Sequence, residues 1–481
     1  MSENGKRFLY LALVTLLICG CSPFRPDNRN LSKIDLPKTY SLYSENGTTS
    51  DEWWKNFGST DLDILVKEAL EKNFDIRKAW ARLKQANAAA VQAGADKLPS
   101  LNGNADYSYR KTGSENSASK KITETENHEL GLTAAYEFDF WGRVEAQAKA
   151  GELNAFASRE DVNAAAMTVA AEVVSRWIEI QTRREEIKIL LKQVETNRTY
   201  LDLLELRFRN SLATALDVFQ QREQVARIKA KIPPIEARER TLINELALLL
   251  GRPAGTLEVA EEKLPELPPK PESGIPSKLL AYRPDVRAAG IRVRSSDWDV
   301  AEARANRLPS FTISANSAFI GEQLTTLFNG WALGLAASIT GPIFDGGYRS
   351  AEVDKSRAVV QERLEDYKSV VYTALNEVEN AMINETWQEK YIAATEDQLK
   401  AARNNFNEAG SRYLQGLEDY LPVLSGLSSV QDLELNLAGD RGDLLLYRVE
   451  LYRSLGGGWT ERLKNPLPET GKKAESAKDG K

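Results

Sequence analysis

The chain repeats itself, so its fold has to be built twice on one plan. Asp75-Ile76-Arg77-Lys78-Ala79 returns 210 residues later as Asp285-Val286-Arg287-Ala288-Ala289, and Leu98-Pro99-Ser100 returns as Leu308-Pro309-Ser310. Further on the offset is 205. It relates Arg207-Phe208 to Arg412-Tyr413, Leu212 to Leu417, and Leu250-Gly251 to Leu455-Gly456. Self-similarity at a fixed spacing marks a repeated supersecondary unit, and the drop from 210 to 205 fits a shorter loop in the second half. Residues 252–282 carry six of the 18 prolines and read as an irregular linker. The expected organisation is an N-terminal segment 21–60, a first repeat 61–251, the linker, a second repeat 283–456, and a tail 457–481. From Asn465 onward the tail is polar and charged, a composition that does not fold.

Each half contains two kinds of segment. The first alternates. Leu101, Gly103, Ala105, Tyr107 and Tyr109 interleave with Asn102, Asn104, Asp106, Ser108 and Arg110. Leu130, Leu132, Ala134, Tyr136, Phe138 and Phe140 do the same around Thr133, Glu137 and Asp139. In the second half, Phe311, Ile313, Ala315 and Phe319, then Trp331, Leu333, Leu335, Ala337 and Ile339, repeat the pattern. Period two predicts strands with one dry face, at about 100–110, 129–140, 309–320 and 330–341. A membrane-spanning strand needs ~9–11 residues, and aromatics gather at both ends of the first pair. A half-buried soluble sheet would show the same alternation. The second kind is a long helix. Residues 152–210 and 349–409 contain neither glycine nor proline, and Val162, Ala166, Val169, Val173, Trp177 and Ile180 step by fours and threes. Helical patterns far beyond ~25 residues indicate coiled-coil packing. Turns near Asn210-Ser211 and Gln415-Gly416 fold each helix back, giving helical hairpins at 143–251 and 349–456, with Pro233 and Pro234 expected to kink the first return helix. Taken alone, such hairpins also suit a rod-like scaffold.

Much chemistry is absent from this composition. There is one histidine, His128, and the two cysteines are Cys19 and Cys21. No His/Cys cluster exists to hold zinc, and there is no G-x-x-x-x-G-K-[ST] loop, so no cofactor and no enzymatic activity are expected. A net charge of −6 gives no footprint for nucleic acid. Lys6 and Arg7 followed by the apolar run Phe8–Ile18 read as a signal peptide, residues 1–20, since the run is far shorter than the ~20 residues a membrane span needs. Ile18-Cys19-Gly20-Cys21 resembles a bacterial lipobox, which implies cleavage after Gly20 and acylation of Cys21. Ser22, in place of a retention aspartate, favours the outer membrane. Beyond residue 20 nothing is apolar enough for a helical span, so the mature chain can cross a membrane only with strands in a closed barrel.

Four strands cannot close such a barrel, since eight is the known minimum. An open edge in lipid leaves N–H and C=O groups unpaired at several kcal/mol each. Several copies must therefore pool their strands. Two would give eight strands around a filled interior and three would give twelve; the polar inner face favours the wider barrel.

Several motifs, in order along residues 40–460, resemble those of one family. Trp53-Trp54, Phe57, Leu62, Leu65, Ala69-Leu70 and Asn73 are similar to the opening of TolC-like outer-membrane efflux proteins. Arg283-Pro284-Asp285-Val286-Arg287-Ala288-Ala289 resembles the signature of the lipoprotein branch. Asp139-Phe140-Trp141-Gly142-Arg143 and Ile343-Phe344-Asp345-Gly346-Gly347 resemble paired strand-to-helix turns, and Leu455-Gly456-Gly457-Gly458-Trp459 the C-terminal motif. The resemblance implies a mixed α+β membrane protein. Four strands per chain join a trimeric twelve-stranded outer-membrane β-barrel, continued by a long periplasmic α-helical barrel. The implied partners are two further copies (a homotrimer), a periplasmic membrane-fusion adaptor, an inner-membrane RND-type transporter and outer-membrane lipid, with no nucleic acid.

The same resemblance marks the hairpin turns as adaptor-docking tips. Arg207, Ser211, Leu212, Arg412, Gly416 and Leu417 match the family's turn, with Ser211 standing where glycine is usual and suggesting a different geometry there. The family's acidic pore ring has no direct match, because Pro422 and Ser425 occupy those positions. Asp217, Glu418 and Asp419 are the substitute candidates for a constriction; as helix-start residues they equally suit capping. The expected function is a passive exit duct for small toxic compounds, with metal-ion or protein-secretion ducts as alternatives and a periplasmic scaffold further behind.

Overall fold

A computed structural model of the chain describes residues 24–26, 36–37, 39–41, 52–116, 119–271, 276 and 279–467. The expected signal peptide and Cys21 lie outside these residues, as does the tail from 468. The helices and strands are α1 (Thr60–Lys72), α2 (Phe74–Gly94), β1 (Ser100–Asn116), β2 (Ser119–Phe138), α3 (Arg143–Arg209) and α4 (Ala215–Leu249). They continue with α5 (Pro284–Ala305), β3 (Ser310–Gly321), β4 (Trp331–Thr340), α6 (Tyr348–Leu414) and α7 (Tyr420–Leu455), with a helical turn at 279–282 ahead of α5. The described residues form two compact units, one built mainly from 83–158 and 288–368, the other from 36–82, 159–287 and 369–467.

The first unit carries the sheet, antiparallel throughout in the order β1-β2-β3-β4. Register lines the dry residues up. Leu101 faces Ala134, Ala134 faces Ala315, and Ala315 faces Leu335, while Phe311 faces Ile339; Ser317 is the polar exception in the neighbouring row. One face is apolar across all four strands and solvent-exposed in the single chain, with Leu335 at 81%. Among the described residues β1 and β4 each have one unpaired edge. The first hairpin is longer than its alternating stretch predicts. Its pairing runs on to Asn116 and Ser119 through polar rungs such as Lys111 with Glu124, because backbone pairing needs no dry face. β3 ends opposite His128, so this stretch stands clear of the second hairpin. His128 sits within β2 with its ring 4.9 Å from Tyr107.

The strand-to-helix motifs are caps. Asp139 Oδ2 accepts from Glu145 N at 2.8 Å, and Trp141 Nε1 donates to Pro309 O at 2.7 Å. Asp345 accepts from the N–H groups of Gly347 and Arg349. Each aspartate satisfies amide donors that a helix start leaves orphaned. Arg143 forks onto Glu137 at 2.9–3.0 Å.

The hairpin helices are long because nothing interrupts them. α3 and α6 each have 67 residues, about 100 Å at ~1.5 Å per residue. α4 runs unbroken through Pro233 and Pro234, although each removes one helical donor. The proline-rich linker is irregular yet pinned down. Gln181 and Arg184 of α3 donate to Ala260 O, and Tyr452 Oη donates to Pro269 O. Arg448 reaches Pro268 O while forking onto Glu385 at 2.8–2.9 Å. Trp53 stacks on Tyr452, and Trp54 meets Trp459 edge-on at 4.9 Å, so the two aromatic motifs at opposite chain ends form one cluster.

Candidate functional site

The two hairpin turns converge on one small core. Leu204 of α3, Val218 of α4, Ala409 and Tyr413 of α6, and Tyr420 and Val423 of α7 are all buried together. Every helix of both hairpins contributes, so the turns are held as a single structure.

Both turns are built alike. Leu212 N donates to Arg207 O at 2.8 Å and Ser211 N to Phe208 O at 2.9 Å; Leu417 N donates to Arg412 O at 2.9 Å and Gly416 N to Tyr413 O at 3.1 Å. This pair of bonds is a Schellman closure, which requires a left-handed residue after the helix. Gly416 supplies it at φ 73°, and Ser211 adopts it too at φ 60°. The expected difference in geometry is therefore absent: the closing hydrogen bonds hold the serine where a glycine would rest. A side chain in that region costs of order 1 kcal/mol. Ser211→Gly is expected to raise the melting temperature modestly and Gly416→Ala to lower it, as read by thermal unfolding of the purified protein. If both substitutions shift it the same way, the left-handed strain is not what the two positions share.

Of the expected docking residues, Ser211, Leu212, Arg412, Gly416 and Leu417 are exposed and Arg207 is half-buried. They are joined by Phe208, Leu216, Phe219, Leu414 and Leu421, also exposed. Arg207 lies over the Tyr413 ring at 4.8 Å and so links the hairpins by a cation–π contact. Arg412 pairs with Glu408 at 2.8 Å and lies 3.9 Å from Glu418.

The three acidic candidates differ in setting. Asp217 closes a capping box, accepting from Thr214 N at 2.8 Å while Thr214 Oγ1 accepts from Asp217 N at 3.2 Å. Asp419 occupies the N-cap of α7 without a side-chain cap bond. Glu418 is half exposed across the turn from Arg412.

Behind the turns runs a buried polar ladder that single-residue motifs did not flag. Tyr420 Oη donates to Gln221 Oε1 at 2.7 Å, and Gln221 Nε2 donates to Asn197 O at 2.8 Å. Asn197 Nδ2 donates to Gln193 O, and Gln193 Nε2 to Gln431 O, both at 2.8 Å. Burial pushes the Tyr420 phenol well above its usual pKa, with Tyr200, Tyr413 and Asp217 adding to the shift, so it remains a donor. The signal that could have found the ladder is amides at positions where the heptad expects apolar residues, a pattern that fixes register in helical assemblies. Among the described residues no group of histidine, cysteine or carboxylate side chains is placed to hold a metal.

Residues 65–252 and 275–457 match the family model described as outer membrane efflux protein. The chain is 32% identical over 463 residues to the pyoverdine export outer membrane protein OpmQ of Pseudomonas aeruginosa, covering 94% of this chain and 96% of that one. It is 25% identical over 471 residues to the cation efflux system protein CusC of Escherichia coli, covering 93% and 98%. Among solved structures, the outer-membrane channel OprN superposes with a TM-score of 0.82 at 27% identity, over 92% of this chain and all of that one.

Proposed function

The chain belongs to the outer membrane efflux protein family, and we propose that three copies of it close into one passive exit duct. It is an outer-membrane efflux channel component. The observation that carries the proposal is the sheet: four strands, one continuous apolar face, and two unpaired edges. No helix among the described residues is long and apolar enough to cross a membrane. Lipid tolerates such a face but not such edges, so each edge takes the edge of a neighbouring copy, and three copies supply twelve strands. The helical hairpins then form the wall of the duct on the periplasmic side.

The duplication supports the same assembly, because two equivalent halves in each of three copies make a ring of six similar hairpins. Asn73 Nδ2 donates to Leu249 O, at the end of α4, at 2.8 Å; Arg283, 210 residues later, donates to Ser454 O, at the end of α7, at 3.1 Å. Equivalent positions thus tie down equivalent helix ends with different side chains.

The exposed apolar turns, with Arg207, Ser211, Leu212, Arg412, Gly416 and Leu417, receive a periplasmic membrane-fusion adaptor, and an RND-type inner-membrane transporter supplies energy and cargo. Asp217, Glu418 and Asp419, in three copies, set a negative potential at the mouth, where low-dielectric walls focus it. The cargo class is small toxic compounds. Relatives named for pyoverdine export and for cation efflux align with nearly the whole chain, which fits a duct whose selectivity is set by the pump that feeds it. Cys21 anchors each copy, since two or more buried acyl chains hold a protein stably in a bilayer.

Purified protein in a planar bilayer is expected to conduct, and to run in detergent at the mass of three chains. The triple variant Asp217→Ala/Glu418→Ala/Asp419→Ala is expected to lose preference for cations; unchanged ion selectivity would reject the acidic mouth. Cys21→Ala is expected to stop incorporation of labelled fatty acid, and continued labelling would sink the anchor assignment.

A further inference from the structure

Between α3 and α6, with α7 as its floor, lies a groove of about 1360 Å³ within the second unit. Positions spaced by threes and fours within 185–196 of α3 and 396–407 of α6 line its sides, so each helix turns one face to it. Leu427, Val430 and Leu437 of α7 and Leu399 of α6 make the floor apolar. The linker crosses one end. It is held at α3 by Arg184, which donates to Ala260 O, and at α7 by Arg448, which reaches Pro268 O; residues 263–267 line the groove between these two anchors.

The groove is more positive than the chain that forms it. Six cations and four carboxylates line it, in a chain of net charge −6. Three of the cations are engaged: Lys188 pairs with Glu261 at 2.8 Å, Arg403 with Glu434 at 2.7 Å, and Arg441 with Glu396 at 2.9 Å. The other three come from three different elements. Lys192 of α3, Lys263 of the linker and Lys400 of α6 are exposed and have no ion pair among the described residues. The two carboxylates that likewise have none, Glu185 and Glu266, belong to the end crossed by the linker. Positive charge therefore stands uncompensated toward the hairpin turns, at Lys192 and Lys400.

These features describe a ligand. The volume exceeds the ~300–1,000 Å³ of small-molecule pockets, so the groove suits a length of polymer. No aromatic ring lines it, and an aliphatic floor suits methyl groups better than flat rings. Cations on facing walls suit carboxylates. Methyl groups and carboxylates on one short chain make an acidic peptide of small residues. We infer that the groove binds the peptide stems of the cell wall, which are rich in alanine and carry free carboxylates. Lys192 and Lys400 take stem carboxylates from opposite walls, Lys263 takes one beside the linker, and the floor receives the methyl groups. The placement rests on the reading of the hairpins as the periplasmic wall of the duct, which has to pass the cell wall at this level. The groove is set back from the adaptor-docking turns, with Thr196 about 20 Å along α3 from its end at Arg209, at 1.5 Å per residue. It is also complete within one chain.

The full-length acylated protein in detergent is sedimented with purified cell-wall sacculi at low salt. The wild type is expected to bind, and to lose binding when an amidase has stripped the stems from the glycan. Lys192→Gln/Lys263→Gln/Lys400→Gln is expected to bind about tenfold more weakly, the usual size of three exposed ion pairs lost together. Lys67→Gln/Lys229→Gln/Lys464→Gln removes the same charge from exposed positions outside the groove and is expected to bind as the wild type does. Both triple variants are expected to keep their conductance and their mass in detergent. A wild type that ignores sacculi, binding that survives removal of the stems, or equal weakening in the two triple variants would each overturn the inference. So would a groove variant that still sediments with sacculi but no longer co-purifies with a membrane-fusion adaptor, since the groove would then belong to that protein. Stem-dependent binding by a chain that neither conducts nor has the mass of three chains would uphold the groove and remove the duct.

Discussion

Replacing Leu335 by arginine is expected to remove most of the protein from the outer-membrane fraction. Leu335 lies mid-strand in β4, opposite Ala315, in a row that continues through Ala134 to Leu101. Its side chain is 81% exposed in the single chain, and on the proposed reading only lipid meets it. An arginine at the bilayer midplane of a β-barrel costs ~2–4 kcal/mol, and a trimer incurs it three times over. That is comparable to the whole stability margin of a typical fold, ~5–15 kcal/mol. Ala336→Arg, one residue along, points to the opposite face and is expected to insert normally. Quantitative immunoblotting of outer membranes from both variants decides the matter. Equal abundance would mean that the apolar face does not meet lipid.

Glu385→Ala is expected to destabilise the helical unit by about 3–5 kcal/mol, the usual result of stranding a buried charge. Arg448 is 1% exposed and Glu385 is fully buried; the pair forms a two-bond fork, and Arg448 also binds Pro268 O. With Glu385 gone, a buried guanidinium keeps its charge and loses its counterion. The linker carbonyl cannot replace that charge, so the linker is expected to loosen where it crosses α7. Limited proteolysis within residues 264–271 and the melting temperature are the two readouts. Lys270→Ala serves as the comparison. Lys270 pairs with Glu385 and Glu389 at the rim, 3.2–3.3 Å away and partly exposed, and such pairs contribute ~0–1 kcal/mol. Equal loss in both variants would show that the buried fork carries no special weight.

Much of this was legible because it rests on period. The absence of glycine and proline through 152–210 and 349–409 leaves little alternative to a long helix. The alternation around Leu101, Leu132, Ile313 and Leu335 sets the register that puts all four on one sheet face. The limits of the first hairpin were not legible, because past Tyr109 every rung but that of Gly113 with Ile122 is polar, and hydrophobic alternation has little to read. Ser211 misled for a related reason. Residue type reports preference, whereas the closing bonds to Arg207 O and Phe208 O impose a conformation the serine alone would avoid. The turn residues themselves were found by their spacing, but their packing was not: that Arg207 lies over Tyr413, and that Tyr420 reaches Gln221, depends on which helices of different hairpins meet. The Arg283 motif was visible as a string, yet its task of holding the last turn of α7 appears only when Ser454 O comes into view.

The matched lengths of α3 and α6 restrict how this protein can vary. Inserting one residue into either alone would swing everything beyond it by ~100° around the axis, turning Thr182 or Trp387 away from whatever it faces. Evolution, or an engineer, can therefore change the reach of these proteins only in whole heptads and in both helices together. Natural reach should come in discrete sizes, and single-residue deletions should be far rarer within 143–209 and 348–414 than in the linker.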